Sequence, residues 1–157
     1  MYHYTDGGLR NVWLANGYIE HTTKYGKGIS INDVDGLNKA ICEALTNKPG
    51  KLTGAEFRYL RMALELSQKT LGKLLGYTEQ AIAKWEKTGK IPKTSDYVIR
   101  IIYLQKHAGN EKVCSMIQIE NMIERLSSDF RIVVTEKREK WNPAFESDKL
   151  DQLKTVA

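Results

Sequence analysis

Cysteine is scarce in this chain, and histidine is almost as rare. Cys42 and Cys114 lie far apart, belong to no Cys-x-x-Cys pair and have no histidine beside them at the spacing of a metal site. Two isolated thiols are typical of a protein in a reducing compartment rather than of a disulfide framework. His3, His21 and His107 are scattered, without a cluster of cysteines or carboxylates around them. We therefore expect no metal site and no cofactor.

Segments for export and for membrane insertion are also lacking. The first ten residues, MYHYTDGGLR, have no basic start followed by an apolar run, which a secretion signal requires. The apolar stretch from Ile101 to Leu104 is far shorter than the roughly 20 residues that span a bilayer. We expect the protein in the cytoplasm, with no membrane partner.

The motifs of the common enzyme classes are absent from the sequence. It contains no Gly-rich phosphate loop, no Gly-x-Ser-x-Gly and no His-Glu-x-x-His. Its carboxylates are scattered through charge-mixed segments, which is typical of solvated faces. Cys114 follows His107 across a predicted helix break at Gly109, and we interpret it as a core or interface thiol rather than a nucleophile. We expect no catalytic residue and no enzymatic activity.

Positive charge is present, and its distribution is uneven. The formal net charge of the chain is +5. Between Lys51 and Lys93 there are nine Lys or Arg and four Glu, whereas the rest of the chain has equal numbers of basic and acidic residues. The whole excess therefore lies in one segment. A localised excess of this kind favours binding to phosphate groups, because each neutralised phosphate releases condensed counterions. A solvated basic surface is the alternative.

The first part of the chain predicts a hairpin followed by a helix. Asn16-Gly17 readily takes the positive φ angles of a two-residue hairpin turn. Gly26 and Gly28 indicate a second turn. Asn32 or Asp33 then caps a helix that ends at Asn47-Lys48-Pro49-Gly50. Four apolar residues flank the first turn and favour strands: Val12, Leu14, Tyr18 and Ile19. Residues 1–50 are thus predicted to form an amino-terminal module.

Three successive helices are predicted to begin with the same local signals. Thr53 precedes Glu56 by three residues, which makes a capping box. Ser67 is the expected cap of the next helix and Thr78 the cap of the one after it. Three successive starts of the same kind predict a continuous helical segment from Thr53 onward.

Two more helices and a strand are predicted further along. The fourth helix runs from Asp96 to about His107, and the fifth from Asn110 to about Leu126. Phe130 to Thr135 has the β-branched composition of a short strand, and the tail after Trp141 is polar and expected to fray. The fourth helix is expected to bury four apolar residues deeply: Val98, Ile101, Ile102 and Leu104.

The segment from Leu64 to Gly89, LELSQKTLGKLLGYTEQAIAKWEKTG, resembles the helix-turn-helix of the Cro/phage-repressor (XRE) superfamily. The resemblance implies a domain that lays its second helix in the major groove of DNA. Gly72 departs from the alanine usual in the family, at a cost of up to about 1 kcal/mol in helix propensity, and Thr70 departs from a frequent glutamate. The matching residues are Leu66-Ser67-Gln68, Leu71, Leu74-Leu75-Gly76, Thr78-Glu79-Gln80, Ile82 and Trp85-Glu86.

With this resemblance, the expected fold is mainly α. It has a five-helix Cro/repressor-like helix-turn-helix domain, an N-terminal β-hairpin and helix module, and a C-terminal helix and strand extension. Residues 51–108 are assigned to the DNA-binding domain. Residues 109–157 either supply the contact of a homodimer or complete the core of the monomer.

The outer face of the second helix is predicted to read DNA bases. With Thr78 as the cap, Gln80 can bond an adenine, Lys84 a guanine and Glu79 a cytosine, while Ala81 can touch a thymine methyl. The alternative for Glu79 is that it only complements the helix dipole. Gln80 and Lys84 would otherwise be ordinary solvent-facing residues.

The resemblance also implies contacts with the DNA backbone and one structural ion pair. Gln68 should bind a phosphate at the N-terminus of its helix. Arg61 and Glu86 occupy the positions of the family's partly buried ion pair, which we interpret as structural. Six further residues are candidate phosphate contacts: Ser67, Lys69, Thr78, Lys87, Lys90 and Lys93.

The layout of an N-terminal module before LTGAEFRYLRMALELSQ is also similar to antitoxin-type regulators of the MqsA kind. Those proteins often carry two zinc-binding Cys-x-x-Cys pairs, which this chain lacks, so the resemblance implies no zinc site here. The N-terminal region is rich in aromatic residues, expected to form a small packed core, with a protein-binding face as the alternative. They are Tyr2, Tyr4, Trp13, Tyr18 and Tyr25.

Taken together, these patterns predict a sequence-specific transcription regulator that binds double-stranded DNA. The resemblance implies a homodimeric repressor on an operator with half-sites about 34–36 Å apart. The alternative is an antitoxin-type module that binds and neutralises a toxin partner and regulates its own operon.

Overall fold

The computed structural model describes residues 1–107 and 131–146, which form two compact units. The sheet unit contains residues 1–6, residues 10–44 and the strands after residue 130. The helical unit contains residues 7–9 and the described chain from residue 45 to residue 107. The division falls within the first helix.

The sheet unit contains a four-stranded mixed sheet and a two-stranded ribbon. In chain order, its strands are β1 (Tyr2–His3), β2 (Val12–Leu14), β3 (Tyr18–Thr23), β4 (Gly26–Ile31), β5 (Arg131–Lys137) and β6 (Lys140–Glu146). The mixed sheet has the order β1-β2-β5-β6, in which β2 and β5 run parallel and the outer pairs are antiparallel. The ribbon pairs β3 with β4 in antiparallel register.

The core of the sheet unit is built from alternate strand residues and from helix α1 (Val34–Asn47). Asp33 caps α1, since its Oδ1 accepts a hydrogen bond from the Gly36 N–H at 2.9 Å. The indole of Trp141 donates to the Asp33 carbonyl at 3.0 Å, which ties β6 to the start of α1. Six apolar side chains are fully buried here: Val12, Leu14, Leu37, Ile41, Ile132 and Val134.

The predicted hairpin at Asn16-Gly17 is wrong. Gly17 does have a positive φ, of 77°, but β2 pairs with β1 and β5, while β3 pairs with β4. The Asn16 side chain explains the difference, because its amide binds the backbone of Glu136 in β5 through both of its polar atoms, at 3.1 and 2.6 Å. Asn16 therefore extends the parallel pairing of β2 and β5 and does not close a turn.

The expectation of a mainly α fold is also wrong, because the protein is a mixed α/β structure. Its described residues are 47% helix and 25% strand. The strand predicted at Phe130 to Thr135 is present as β5, but the segment after Trp141, expected to fray, continues β6 to Glu146. Strands from the two ends of the chain thus share one sheet. The predicted fifth helix, from Asn110 to Leu126, lies outside the described residues.

The helical unit contains four helices after α1: α2 (Gly54–Ala63), α3 (Gln68–Leu75), α4 (Glu79–Thr88) and α5 (Lys93–His107). The three predicted caps are confirmed. The hydroxyls of Thr53, Ser67 and Thr78 each accept a hydrogen bond from the backbone N–H three residues later, at 3.0 to 3.2 Å. Glu56 completes the capping box by accepting from the Thr53 N–H at 2.8 Å.

Helix α5 begins at Lys93, three residues before the expected start, and buries a different face. Ile101 is exposed, whereas Asp96 and Arg100 are buried and ion-paired at 2.7 Å. Arg100 also donates to the carbonyls of Lys48 and Gly50, at 2.8 and 2.6 Å. The Asp96–Arg100 pair is buried in place of the predicted apolar residues, because Arg100 supplies hydrogen bonds to backbone carbonyls of the segment before α2. Val98 and Ile102 are half-buried, and only Leu104 of the four predicted residues is fully buried.

Gly54 lies where the start of α2 meets the end of α4, and alanine in its place should destabilise the protein. A Cβ there would press on the carbonyl oxygen of Glu86 and lie 2.8 Å from that of Trp85. We expect Gly54→Ala to lower the free energy of unfolding by about 1–3 kcal/mol, the usual cost of overpacking. Urea unfolding followed by circular dichroism measures this.

Met62→Ala is the matched control, because Met62 lies on the same helix and is 58% exposed. It should change the free energy of unfolding by less than about 0.5 kcal/mol. Equal stability of Gly54→Ala and the unaltered protein would contradict the close approach of the two helices.

Candidate nucleic-acid interface

Helix α4 buries one side and exposes the other. Ile82 is fully buried, and Trp85 is buried with its ring edge-on to Phe57 and Tyr77, at centroid distances of 6.1 and 4.6 Å. The opposite side has Gln80 and Lys84 one helical turn apart, both exposed. Of the other two predicted base-reading residues, Glu79 is exposed and Ala81 is half-buried.

The turn between α3 and α4 depends on two glycines. Gly76 ends α3 in the left-handed conformation, with φ 77°, and the N–H of Tyr77 donates to the Gly72 carbonyl at 2.8 Å. A Cβ at Gly72 would lie 2.7 Å from the Tyr77 carbonyl oxygen. Glycine at position 72 therefore has a local cause, because the backbone of the turn passes directly against α3.

The carboxylate of Glu86 joins three helices. Arg61 of α2 binds it through both Nε and Nη2, the latter at 3.2 Å, and Gln68 of α3 donates to it at 2.8 Å. Arg61 Nη1 donates in addition to the Leu66 carbonyl in the turn between α2 and α3, at 2.8 Å. Two-point guanidinium–carboxylate binding fixes direction as well as distance. This one group therefore links α4 to both α2 and α3.

The same contact determines what Gln68 can do. Its amide nitrogen carries two hydrogens, and Glu86 accepts one of them. The other can donate to a ligand in front of the N-terminus of α3, where the backbone N–H groups also favour an anion. The side chain predicted to bind a DNA phosphate is thus held in place by the ion pair that was predicted to be structural.

A cleft of about 650 Å³ lies between these helices. It brings together Ser67, Gln68 and Lys87 of the predicted phosphate contacts and Glu79 of the predicted base readers. Its full lining is Arg58, Arg61, Ser67, Gln68, Glu79, Ala83, Glu86 and Lys87. Arg61 and Glu86 neutralise each other, which leaves Arg58 and Lys87 against Glu79, and this small positive excess favours an anionic ligand.

Sequence reasoning missed Arg58. It is exposed and lines the cleft beside Arg61, which lies three residues later on the same helix. The spacing of three residues was the available signal, since it places both guanidinium groups on one face of α2.

The remaining predicted phosphate contacts lie outside the cleft lining. Lys69 and Lys90 are exposed, and Lys93 lies over the ring of Tyr97 at 6.0 Å from its centroid. Thr78 is exposed, and its hydroxyl accepts from the Ala81 N–H while its own O–H can still donate. These residues surround the ends of α3 and α4 and do not form part of one enclosed site.

Two further features concern only residues 1–107 and 131–146. Among them, no group of three or more His, Cys, Asp or Glu side chains is arranged to hold a metal ion. No helix in this part of the chain combines the length and the apolar character needed to cross a membrane.

Comparison with known proteins gives no match to the chain, whether among family models, curated proteins or solved structures.

Replacing Glu86 by leucine should destabilise the protein strongly. The Arg61 side chain is only 12% exposed, so the variant leaves a largely buried guanidinium without its carboxylate. We expect a loss of about 3 kcal/mol in the free energy of unfolding, the usual cost of breaking a buried ion pair from one side. Urea unfolding of the single variant and the unaltered protein measures it.

The double variant Arg61→Met with Glu86→Leu is the control, because it removes both charges and keeps similar volumes. It should regain a large part of the stability that the single variant loses. Equal stability of the single and double variants would mean that Arg61 does not depend on Glu86.

Proposed function

We propose that the protein is a sequence-specific transcription regulator that binds double-stranded DNA in the cytoplasm through its helical unit. The proposal depends on one observation, that α4 is buried on one side and exposed on the other. Ile82 and Trp85 anchor it, while Gln80 and Lys84 stand one turn apart on the exposed side. An α-helix fits the major groove of DNA, and amide and ammonium groups pair with base edges there. Gln80 would read adenine and Lys84 guanine.

The charge of the helical unit supports this proposal. The segment from Lys51 to Lys93 has nine Lys or Arg against four Glu. Two of the four carboxylates are neutralised within the unit, since Glu56 pairs with Lys48 at 2.8 Å and Glu86 pairs with Arg61. The second pair also removes one of the nine cations, so 9 − 1 = 8 Lys or Arg and 4 − 2 = 2 Glu remain. Five of the remaining cations are exposed and lie on α3, on α4 or directly after α4: Lys69, Lys73, Lys84, Lys87 and Lys90. A polyanion is the ligand that gains most from such a surface.

The N-terminus of α3 would hold the DNA backbone beside the reading helix. Gln68 keeps one N–H for a phosphate oxygen, and Lys87 and Arg58 line the same cleft. Contacts of this kind fix the register of a protein on DNA without reading its sequence. The tie from Gln68 to Glu86 would then align phosphate binding with base reading.

Dimerisation would double the short stretch of DNA sequence that one α4 can read. We infer a homodimer on a two-fold operator, because a single helix in the major groove contacts few base pairs and half-sites repeat about every 34–36 Å. The sign of regulation that this proposal favours is repression by occupancy of the promoter.

Gln80→Ala and Lys84→Ala should each reduce the sequence preference. We expect each variant to lose about 1–3 kcal/mol of discrimination between the preferred duplex and a scrambled one, the value of one good base contact. The measurement is binding of the full chain to duplex DNA from the region upstream of its own coding sequence, beside a scrambled duplex of equal length.

Gln105→Ala and Lys106→Ala are matched controls, since both residues are exposed near the end of α5. They remove the same two side-chain types and should leave the preference unchanged. Equal binding of the unaltered protein to both duplexes, or no binding at low salt, would count against the proposal. An undiminished preference in both α4 variants would show that α4 does not read the bases.

A further inference from the structure

The β3–β4 ribbon exposes almost all of its residues. It has six residue pairs in register, from Tyr18 with Ile31 to Thr23 with Gly26. Nine of its twelve residues are exposed, and the half-buried ones are Tyr18, Ile29 and Ile31 near its base. A two-stranded ribbon is marginally stable without a core of its own. A ribbon with so little burial gives the sheet unit little stability. The six-residue length of its strands therefore suggests a role other than stabilising the fold.

The tip of the ribbon is basic and aromatic. Lys24 and Lys27 lie on either side of Tyr25, whose side chain is fully exposed. The chain has no carboxylate between Glu20 and Asp33, so nothing within the outer part of the ribbon neutralises these two lysines. By contrast, another exposed turn of the sheet unit, between β5 and β6, mixes three cations, Lys137, Arg138 and Lys140, with the glutamates at 136 and 139.

Gly28 gives the ribbon a place where another backbone can come close. It lies within β4 opposite His21, and its φ is outside the positive range that would require glycine. A Cβ there would meet no described residue within 4 Å. Glycine weakens a strand, and in strand interiors it often marks the close approach of a ligand or another backbone. Neither a turn nor packing within the described residues requires glycine at this position.

We propose that the β3–β4 ribbon is a second DNA-binding element, whose tip lies against the sugar-phosphate backbone of the duplex. Lys24 and Lys27 neutralise phosphates there, and Gly28 leaves room for the backbone. Duplex DNA is the occupant because its charge is complementary to the tip and a two-stranded ribbon fits its grooves. This inference rests on the proposed function of the helical unit, to which it adds a contact that reads no sequence.

The first test removes both lysines. The full-length variant Lys24→Ala with Lys27→Ala is titrated with the upstream duplex and with the scrambled duplex across a salt series. We expect equal weakening on both duplexes, on the order of tenfold near 0.1 M salt, and a salt dependence shallower by about 0.9 for each phosphate that the variant no longer neutralises. The preference for the upstream duplex should remain.

The control for net charge is Lys137→Ala with Lys140→Ala. Both lysines are exposed and belong to the same unit, so this variant removes the same charge from the other turn. Its affinity and salt dependence should stay close to those of the unaltered protein.

The second test fills the space at Gly28. Gly28→Val should leave the protein as stable as before or more so, because valine favours strands and its Cβ meets no described residue. Its affinity for both duplexes should fall several-fold. Ala144→Val, which adds bulk at an exposed position of β6 outside the ribbon, should bind as the unaltered protein does.

The outcomes separate the inference from the proposed function. If the unaltered protein binds neither duplex, the proposed function fails and the inference fails with it. If the unaltered protein prefers its upstream duplex and the lysine and Gly28 variants bind unchanged, only the inference is overturned. Unchanged DNA binding with weakened self-association in sedimentation would also overturn it, because the ribbon would then be an interface between two copies of the chain.

Discussion

The carboxylate of Glu86 is the group on which the arrangement of the helical unit depends. It accepts hydrogen bonds from Arg61 on α2 and Gln68 on α3, and it belongs to α4 itself. Charge-assisted bonds in a largely buried site are strong and directional, so three short helices keep one relative orientation. Gly54 and Gly72 complete the constraint, because each lets a neighbouring backbone come closer than a side chain would allow.

This constraint connects stability with the proposed function. The same carboxylate that orients α4 also holds the side chain that would bind a phosphate, so the distance between backbone contact and base contact is set before any DNA arrives. Pre-organisation of this kind lowers the entropy lost on binding. The exposed side of α4 is not needed to hold the helix in place, since Ile82 and Trp85 on the other side pack into the core.

What the sequence predicted well was local, and what it missed was distant in the chain. The caps at Thr53, Ser67 and Thr78 depend on contacts within three residues, which a sequence displays directly. The parallel pairing of β2 with β5 joins residues 120 positions apart, and no turn signal or periodicity in the sequence predicts it. The predicted buried face of α5 was wrong for another reason. The ion pair of Asp96 and Arg100 is buried where the apolar residues were expected. In the site, the exposed side of α4 followed from periodicity, whereas the double role of Gln68 required the distances.

The exposed side of α4 and the start of α3 together meet DNA in the proposed complex. The most direct measurement of this contact is nuclear magnetic resonance of the isotope-labelled full chain during titration with its upstream duplex. We expect the largest changes at the backbone amides of Gln68, Lys69 and the turn of α4 from Glu79 to Lys84. Saturable binding that leaves those amides unchanged would contradict the proposed contact.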